Sequence, residues 1–323
     1  MIQVGVLALS GCLASAVYGV IEILVLANSL AESELFTTRV FTVDGDPVAS
    51  YTGSTIASEG SLDDAQPDIM ILPPLMDSLG EALNMKKIVE WLADHHGSGG
   101  QVATVCAGSF LLAETGMLDG REATTHWNLA DMFRRRYPAV NLQVQRLLVD
   151  CGDYICCGGV SAWMDLALYL VTRYAGREVS RTCAKILLMD PHREHQTPYG
   201  MGGFQKNHND TAILKAQTVI EEKYKTSIVI GEIASEVGLG ERTFQRRFRL
   251  ATGTSPSLYV QQVRMEAAQV LLETTDMSVE SVAEKVGYND YSAFRKLFKR
   301  IMGNTPSAYR QRFGVRGRQL QER

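Results

Sequence analysis

The residues best suited to chemistry in this chain come as two matched sets. Arg242, Gln245, Arg246 and Arg249 follow the helical spacing i, i+3, i+4, i+7, with Phe244 and Phe248 four apart on another side. Ser292, Arg295, Lys296 and Lys299 repeat the arrangement beside Phe294 and Phe298. A helix anchored by aromatic side chains, with an outer stripe of cations and amides, has the chemistry to enter a DNA major groove. Arginine and lysine pair with guanine edges, glutamine pairs with adenine, and spare cations meet phosphate. On this reading Arg242, Gln245, Arg246, Ser292, Arg295 and Lys296 face base edges. Arg249, Lys299 and Arg300 face phosphate. One such stripe alone is equally a solvated basic face; two in register favour DNA.

The elements that hold these stripes are also repeated. Ile233-Ala234 and Val237-Gly238 return as Val282-Ala283 and Val286-Gly287. Gly253, Pro256 and Tyr259 return as Gly303, Pro306 and Tyr309, so one residue is added in the turn after Gly287. An indel confined to a turn means two copies of one supersecondary unit, here helix, turn, helix. The region resembles the AraC/XylS-type DNA-binding domain in its Ala-x3-Gly turns, Arg242-Thr243-Phe244-x3-Phe248 and the two Gly-x2-Pro-x2-Tyr motifs. The resemblance implies two helix-turn-helix units in successive major-groove segments of one duplex, joined by a rigid helix over Leu258–Glu273.

Charge divides unevenly. Residues 212–323 hold 18 Lys and Arg against 12 Asp and Glu, so they carry +6 and the remainder −10 of the net −4. A basic tail on an acidic front confines nucleic-acid binding to the tail. Six scattered cysteines show no zinc spacing, and a DNA-binding chain points to the reducing cytoplasm. Leu9-Ser10-Gly11-Cys12 mimics a lipoprotein cleavage box, but no Lys or Arg precedes it and its apolar run is short. No apolar run of membrane-spanning length is expected.

Residues 1–185 alternate between strand and helix patterns. Strands are expected at Val4–Leu9, Phe36–Val43, Asp68–Leu72, Val102–Val105 and Glu122–Thr125, with a hairpin from Leu142–Val149 to Tyr154–Cys157. Helices are expected at Ala14–Leu30, Glu81–His95, Cys106–Thr115, Leu129–Tyr137 and Val160–Tyr174. Alternation implies a doubly wound, flavodoxin-like α/β domain with a mostly parallel sheet and a ligand site at the carboxyl ends of its strands. An all-α domain of two helix-turn-helix units follows. The expected boundaries are a sensing and dimerisation domain over 1–188, a linker over 189–210, the DNA-binding domain over 211–313 and a basic tail over 314–323.

At one strand end, Val102–Val105 runs into Cys106-Ala107-Gly108-Ser109. A side chain at a sharp strand-to-helix turn is lifted out of the sheet, and a thiol at a helix N-terminus tends toward thiolate. Here the chain resembles the PfpI/class I glutamine-amidotransferase-like superfamily, and more closely the GlxA-type regulators that join such a domain to an AraC-type tail. The resemblance rests on Cys106–Ala113, Gly116-x-Leu118-Asp119-Gly120, Thr124-Thr125-His126-Trp127, Gly158-Gly159 and Asp165-Leu166-Ala167-Leu168. It implies Cys106 as the elbow cysteine and His126 as its histidine.

Three departures argue against catalysis. Ala107 follows the cysteine where PfpI proteases carry histidine. Pro74 has no N–H to donate to an oxyanion. Glu22 is the nearest carboxylate of the first helix and lies beyond the position where relatives place an acid. The expectation is therefore no enzyme, no cofactor and no metal, with Cys106, Ala107, His126, Trp127, Pro74 and Glu22 around a small effector. The resemblance suggests an amino-acid-like or quaternary-amine metabolite. Each residue also has a plainer role: a small residue for a tight turn, a packed histidine, a helix-surface glutamate. Likewise Arg134-Arg135-Arg136 reads as a solvated face, and His192-x2-His195 as a loop rather than a metal site. Two alternatives stay open, a redox or electrophile sensor using Cys106 with Cys12, and a cysteine-dependent amidase or aldehyde-handling enzyme. Expected partners are double-stranded DNA, the effector, a second copy of the chain and RNA polymerase, with no membrane.

Overall fold

The computed structural model describes residues 1–191, 193–200, 206 and 208–314. Residue 192 and nearly all of the basic tail expected over 314–323 lie outside the described residues. The chain divides into two compact units, Met1–Gln196 and Thr197–Arg323.

In the first unit the elements are β1 (Ile2–Leu7), α1 (Ala14–Ala31), β2 (Phe36–Phe41), β3 (Val48–Ala49), β4 (Thr55–Ile56), β5 (Ile69–Leu72), α2 (Leu79–Asn84), α3 (Lys86–Gly97), β6 (Gln101–Val105), α4 (Gly108–Glu114), β7 (Glu122–Ala123), α5 (Ala130–Arg136), β8 (Asn141–Leu142), β9 (Leu148–Asp150), β10 (Tyr154–Cys157), α6 (Trp163–Ala175) and α7 (Arg177–Ile186). The main sheet runs β2-β1-β5-β6-β10-β9, parallel except for the antiparallel edge strand β9. β5, β6 and β10 are buried at every position, as parallel strands covered on both faces must be. α1, α6 and α7 pack together, and α4 packs with β6, α2 and α3.

Several expectations are corrected. Glu81–His95 is not one helix: the chain breaks at Met85 (ψ 86°), leaving α2 and α3. Glu122–Thr125 does not join the main sheet: among the described residues β7 pairs with β8, and the Thr124 and Thr125 hydroxyls beyond it donate to the Arg146 and Cys106 carbonyls. The short hairpin β3–β4 was not anticipated, nor was helix α7, although its amphipathic period places Ser180, Cys183 and Ala184 on one buried face. Helix α1, with mean hydropathy 1.7, is long and apolar enough to cross a membrane by composition, contrary to expectation. Its Val17, Val20, Ile23 and Leu24 are instead buried in the core.

The second unit holds α8 (Thr211–Lys223), α9 (Ile230–Glu236), α10 (Glu241–Thr252), α11 (Pro256–Thr274), α12 (Val279–Lys285), α13 (Tyr291–Met302) and α14 (Pro306–Phe313). It has two separate cores, each built the same way. In the first, Phe244, Phe248 and Tyr259 pack with Ile213, Ala216 and Ile220; in the second, Phe294, Phe298 and Tyr309 pack with Met265, Ala268 and Leu272. α11 closes the first core with Tyr259 and Val263 and opens the second with Met265 and Ala268. Gly253 and Gly303 take the same left-handed C-cap (φ 72° and 73°), and Ser255 and Thr305 then cap helices that begin with proline. Gly287 (φ +90°) admits no side chain, since a Cβ there would meet the Lys225 carbonyl at 2.8 Å.

Candidate functional site

The candidate DNA stripes lie on α10 and α13. Phe244 and Phe248 are fully buried, which turns Arg242, Gln245, Arg246 and Arg249 out to solvent. Phe294 and Phe298 do the same for Ser292, Arg295, Lys296, Lys299 and Arg300. The anchoring geometry is nearly identical. Phe248 meets Tyr259 at 5.2 Å and 79°, and Phe298 meets Tyr309 at 5.6 Å and 78°. Among the described residues no ion pair occupies Arg242, Arg246, Arg249, Arg295, Lys296, Lys299 or Arg300. Gln245 donates to Glu241 at 3.1 Å, a contact within one exposed helical turn.

Arg247 differs from its neighbours. It is half-buried and donates to both oxygens of Asp210, the N-cap of α8, at 2.9 and 2.7 Å. That hydrogen bonding holds the Asp210 carboxyl below the usual range. Arg247 therefore orients α10 rather than extending its outer stripe.

A buried polar network underlies each unit, and sequence reading missed it. Gln217 donates to the Tyr259 hydroxyl at 3.1 Å, which donates to Glu221 at 2.7 Å. Gln269 donates to the Tyr309 hydroxyl at 3.2 Å, which donates to Glu273. Burial, reinforced by the neighbouring carboxylates, pushes both phenols well above the ordinary tyrosine range. The signal was present: Gln217-x3-Glu221 on α8 returns as Gln269-x3-Glu273 on α11.

In the first unit, β6 ends at a true elbow. Cys106 has φ +57°, a left-handed conformation that a side chain rarely adopts. Its N–H donates to the Cys157 carbonyl at 2.7 Å, and its carbonyl accepts from Thr125 and Ser109 at 2.9 and 3.0 Å. A Cβ at Gly108 would meet the Leu72 carbonyl at 2.9 Å, so the turn needs that glycine. The tendency toward thiolate expected from the turn is opposed by burial. Burial pushes the Cys106 thiol up to about 12, against which the Ala107 N–H is a smaller lowering influence. The side chain is 3% exposed, and desolvation outweighs the short helix behind it. Iodoacetamide at pH 7 should accordingly leave Cys106 unmodified in the native chain and alkylate it in urea; stoichiometric native labelling would contradict the buried-thiol description.

The other candidates fall into two groups. Thr125 ties the His126–Trp127 segment to the elbow through its bond to Cys106, and Ala107 is buried beside it. His126 is half-buried, lies 5.3 Å from the Trp127 ring, and accepts the Asn128 N–H on Nδ1 at 3.1 Å. Burial lowers its pKa, and among the described residues no carboxylate hydrogen-bonds to it. Pro74 is buried, and its carbonyl accepts the Leu13 N–H at 3.2 Å, bringing the start of α1 to this loop. Glu22 is not brought in. It is exposed beside Tyr18 and Val25, roughly 12 Å along α1 from Ala14 at the helical rise per residue.

In the arginine run Arg135 and Arg136 lie on the exposed face of α5 and Arg134 is half-buried; Arg134 pairs with Asp131 and Arg136 with Glu114. A cleft of about 820 Å³ opens at the opposite, amino ends of the strands, lined by Trp91, His95, Gln101, Asp153, Arg173 and Tyr174 among others. Beside it Arg121 makes two bonds to Asp153, at 2.8 and 2.6 Å, and His96 a third at 2.7 Å. The guanidinium of Arg121 holds the Asp153 carboxyl well below the usual range.

Comparison with known proteins agrees with this two-part architecture. Residues 13–173 match the DJ-1/PfpI family, and residues 233–312 match a helix-turn-helix domain. The HTH-type transcriptional regulator CdhR of Pseudomonas aeruginosa is 26% identical over 296 residues, covering 89% of this chain and 85% of that protein. GbdR, from the same species, is 26% identical over 96% of this chain and 84% of its own length. GlxA of Rhizobium meliloti is 26% identical over 67% of each chain. Among solved structures, a putative transcriptional regulator from Vibrio parahaemolyticus superposes with a TM-score of 0.52 at 22% identity, over 58% of this chain and 98% of that one. Drosophila melanogaster DJ-1beta gives 0.50 at 19% identity, over 59% and 100%. These likenesses extend to the fold alone.

Proposed function

We propose that the chain is a transcriptional regulator that joins a DJ-1/PfpI domain to an AraC-type helix-turn-helix domain, and that it reads duplex DNA through α10 and α13 under control of a small metabolite. Arg242, Gln245 and Arg246 read one box; Ser292, Arg295 and Lys296 read a second, about 10 base pairs away. Arg249, Lys299 and Arg300 bind phosphate. The observation that carries the reading is the pair of exposed stripes, matched residue for residue and free of intramolecular ion pairs among the described residues. Lys299→Ala should weaken cognate and random duplexes alike and reduce the salt slope of binding by about one unit. An unchanged slope would remove Lys299 from the phosphate contacts.

In the front domain the metabolite is bound and not transformed. A buried Cys106 whose thiol burial pushes up to about 12, a His126 with no carboxylate partner among the described residues and a proline in place of an oxyanion donor support this. The elbow with Ala107, His126, Trp127 and Pro74 is the proposed site; Glu22, on the exposed face of α1, is left out. The names of the relatives do not identify the effector. A thermal-shift screen of small nitrogenous metabolites on the full chain tests this half. A ligand at 100 times its dissociation constant adds about 2.7 kcal/mol of apparent stability, and Trp127→Ala should abolish the shift. Turnover of an amide or aldehyde, lost in Cys106→Ser, would replace binding with catalysis. We further propose that the protein works in the cytoplasm as a homodimer; a monomeric mass in solution with DNA present would refute the dimer.

A further inference from the structure

We infer that Arg264 is a positioning residue that fixes the angle between the two helix-turn-helix units and thereby the spacing of the two DNA boxes. The inference rests on the proposal that α10 and α13 read one duplex, and it adds what sets the distance between the boxes.

Helix α11 belongs to both cores, and Arg264 stands where it changes over. Val263 before it packs in the first core, and Met265 after it packs in the second. Arg264 is half-buried there and divides its guanidinium between the two units. Its Nε donates to the Tyr224 carbonyl and its Nη2 to the Thr226 carbonyl, both at 2.8 Å. Those carbonyls lie in the loop that leaves α8 and enters α9. The same guanidinium lies 5.0 Å over the ring of Tyr288, in the turn between α12 and α13. Tyr288 in turn meets Phe294, an anchor of α13, at 5.6 Å. The planar fork suits this double task, because its edge donates to carbonyls while its face stacks on an aromatic ring.

Two further observations mark this place as a joint between the units. A Cβ on Gly287 would stand 2.8 Å from the Lys225 carbonyl and 3.0 Å from the Tyr224 carbonyl, so the second turn lies against the loop that enters the first unit. A Cβ on Gly238, its counterpart in the first unit, would meet nothing within 4 Å. Tyr224 itself packs against both cores. The repeat does not copy the joint. Arg264 returns as Gly314, in step with Tyr259 and Tyr309, and Tyr288 stands where the first unit has Leu239, in step with Gly238 and Gly287. A joint made this way resists rotation of one unit against the other about α11. Each base pair inserted between the boxes turns the second box by about 35° and moves it by about 3.4 Å. A rigid reader loses contacts on such a duplex, and a loose one follows it. Arg264 therefore makes the protein selective for spacing as well as for the bases in each box.

Titrating the full chain against duplexes that carry the two boxes recovered by selection, at the recovered spacing and with one base pair inserted or removed between them, tests this. The parent chain should lose about tenfold in affinity at either altered spacing, the value of one base contact. Arg264→Met, which keeps the stem and loses the fork, should narrow that penalty to about threefold or less, while a base change inside either box costs as much as before. A parent-like spacing penalty in Arg264→Met overturns the inference, and so does a loss of selectivity inside the boxes, which is what a damaged fold would give. Should Arg264→Met fail to fold, Tyr288→Leu, which installs the residue type of the first unit, decides by the same readings. A measurement without DNA runs beside it. Nitroxide labels at Leu250→Cys and Ala293→Cys, both exposed, report the distance between α10 and α13 in a Cys151→Ser background, since the other native cysteines are buried. That distance should be narrowly distributed with Arg264 present and broad in Arg264→Met; equal widths would overturn the joint. A parent chain indifferent to spacing overturns the inference and leaves the two-box reading standing, whereas a parent chain that recognises a single box overturns both.

Discussion

Phe298→Ala is expected to destabilise the second helix-turn-helix unit by about 3–5 kcal/mol, the cost of emptying an aromatic core position. Phe298 is fully buried, 5.7 Å from Phe294 and 5.6 Å from Tyr309. Its loss removes the wedge that holds α13 against α14 and the packing partner of the Tyr309 ring, whose hydroxyl joins Gln269 and Glu273. The first unit has its own Phe244, Phe248 and Tyr259, so the damage should be unequal. Denaturant unfolding of the full chain should show a new early transition. Hydrogen exchange should assign that transition to 279–313. An equal loss of protection in 230–252 would mean that the two cores form one cooperative block through α11.

Arg246→Ala should cost about 1–3 kcal/mol at a single base position and relax selectivity there. The reason is geometric. Phe244 and Phe248 flank Arg246 in sequence and are both buried, so its guanidinium stays exposed and without an ion pair among the described residues. Arg247, one residue on, predicts the contrast. Its bonds to Asp210 position α10, so Arg247→Ala should lower stability along with affinity for every sequence. Titrating both variants against cognate and random duplexes separates the roles. Equal losses on the two DNAs for Arg246→Ala would remove it from the base readers.

Much of the helical unit was legible because its repeat is written in residues with few substitutes. Glycine marks the left-handed caps, proline the first helical turn, and phenylalanine pairs the inward face. The shared role of α11 was not legible, because Ile213 and Ile220 return as Met265 and Leu272 and hide the third element of the repeat. In the front unit the parallel strands announced themselves as short apolar runs. The break at Met85 did not, since neither proline nor glycine marks it and the apolar period continues through it. The elbow at Cys106 was visible as strand, small residues, helix. The state of its thiol was not, because desolvation depends on packing from distant segments and not on the local turn. The role of Arg264 was hidden for the same reason: its partners Tyr224 and Thr226 lie some forty positions earlier.

The central claim is that α10 and α13 read one duplex together. Selecting bound sequences from a random duplex pool with the full chain, and repeating the selection with Arg246→Ala and with Lys296→Ala, tests it most directly. The expected result is two boxes about one helical turn apart, with each substitution blurring a different box. A single box, or both substitutions degrading the same one, would contradict it.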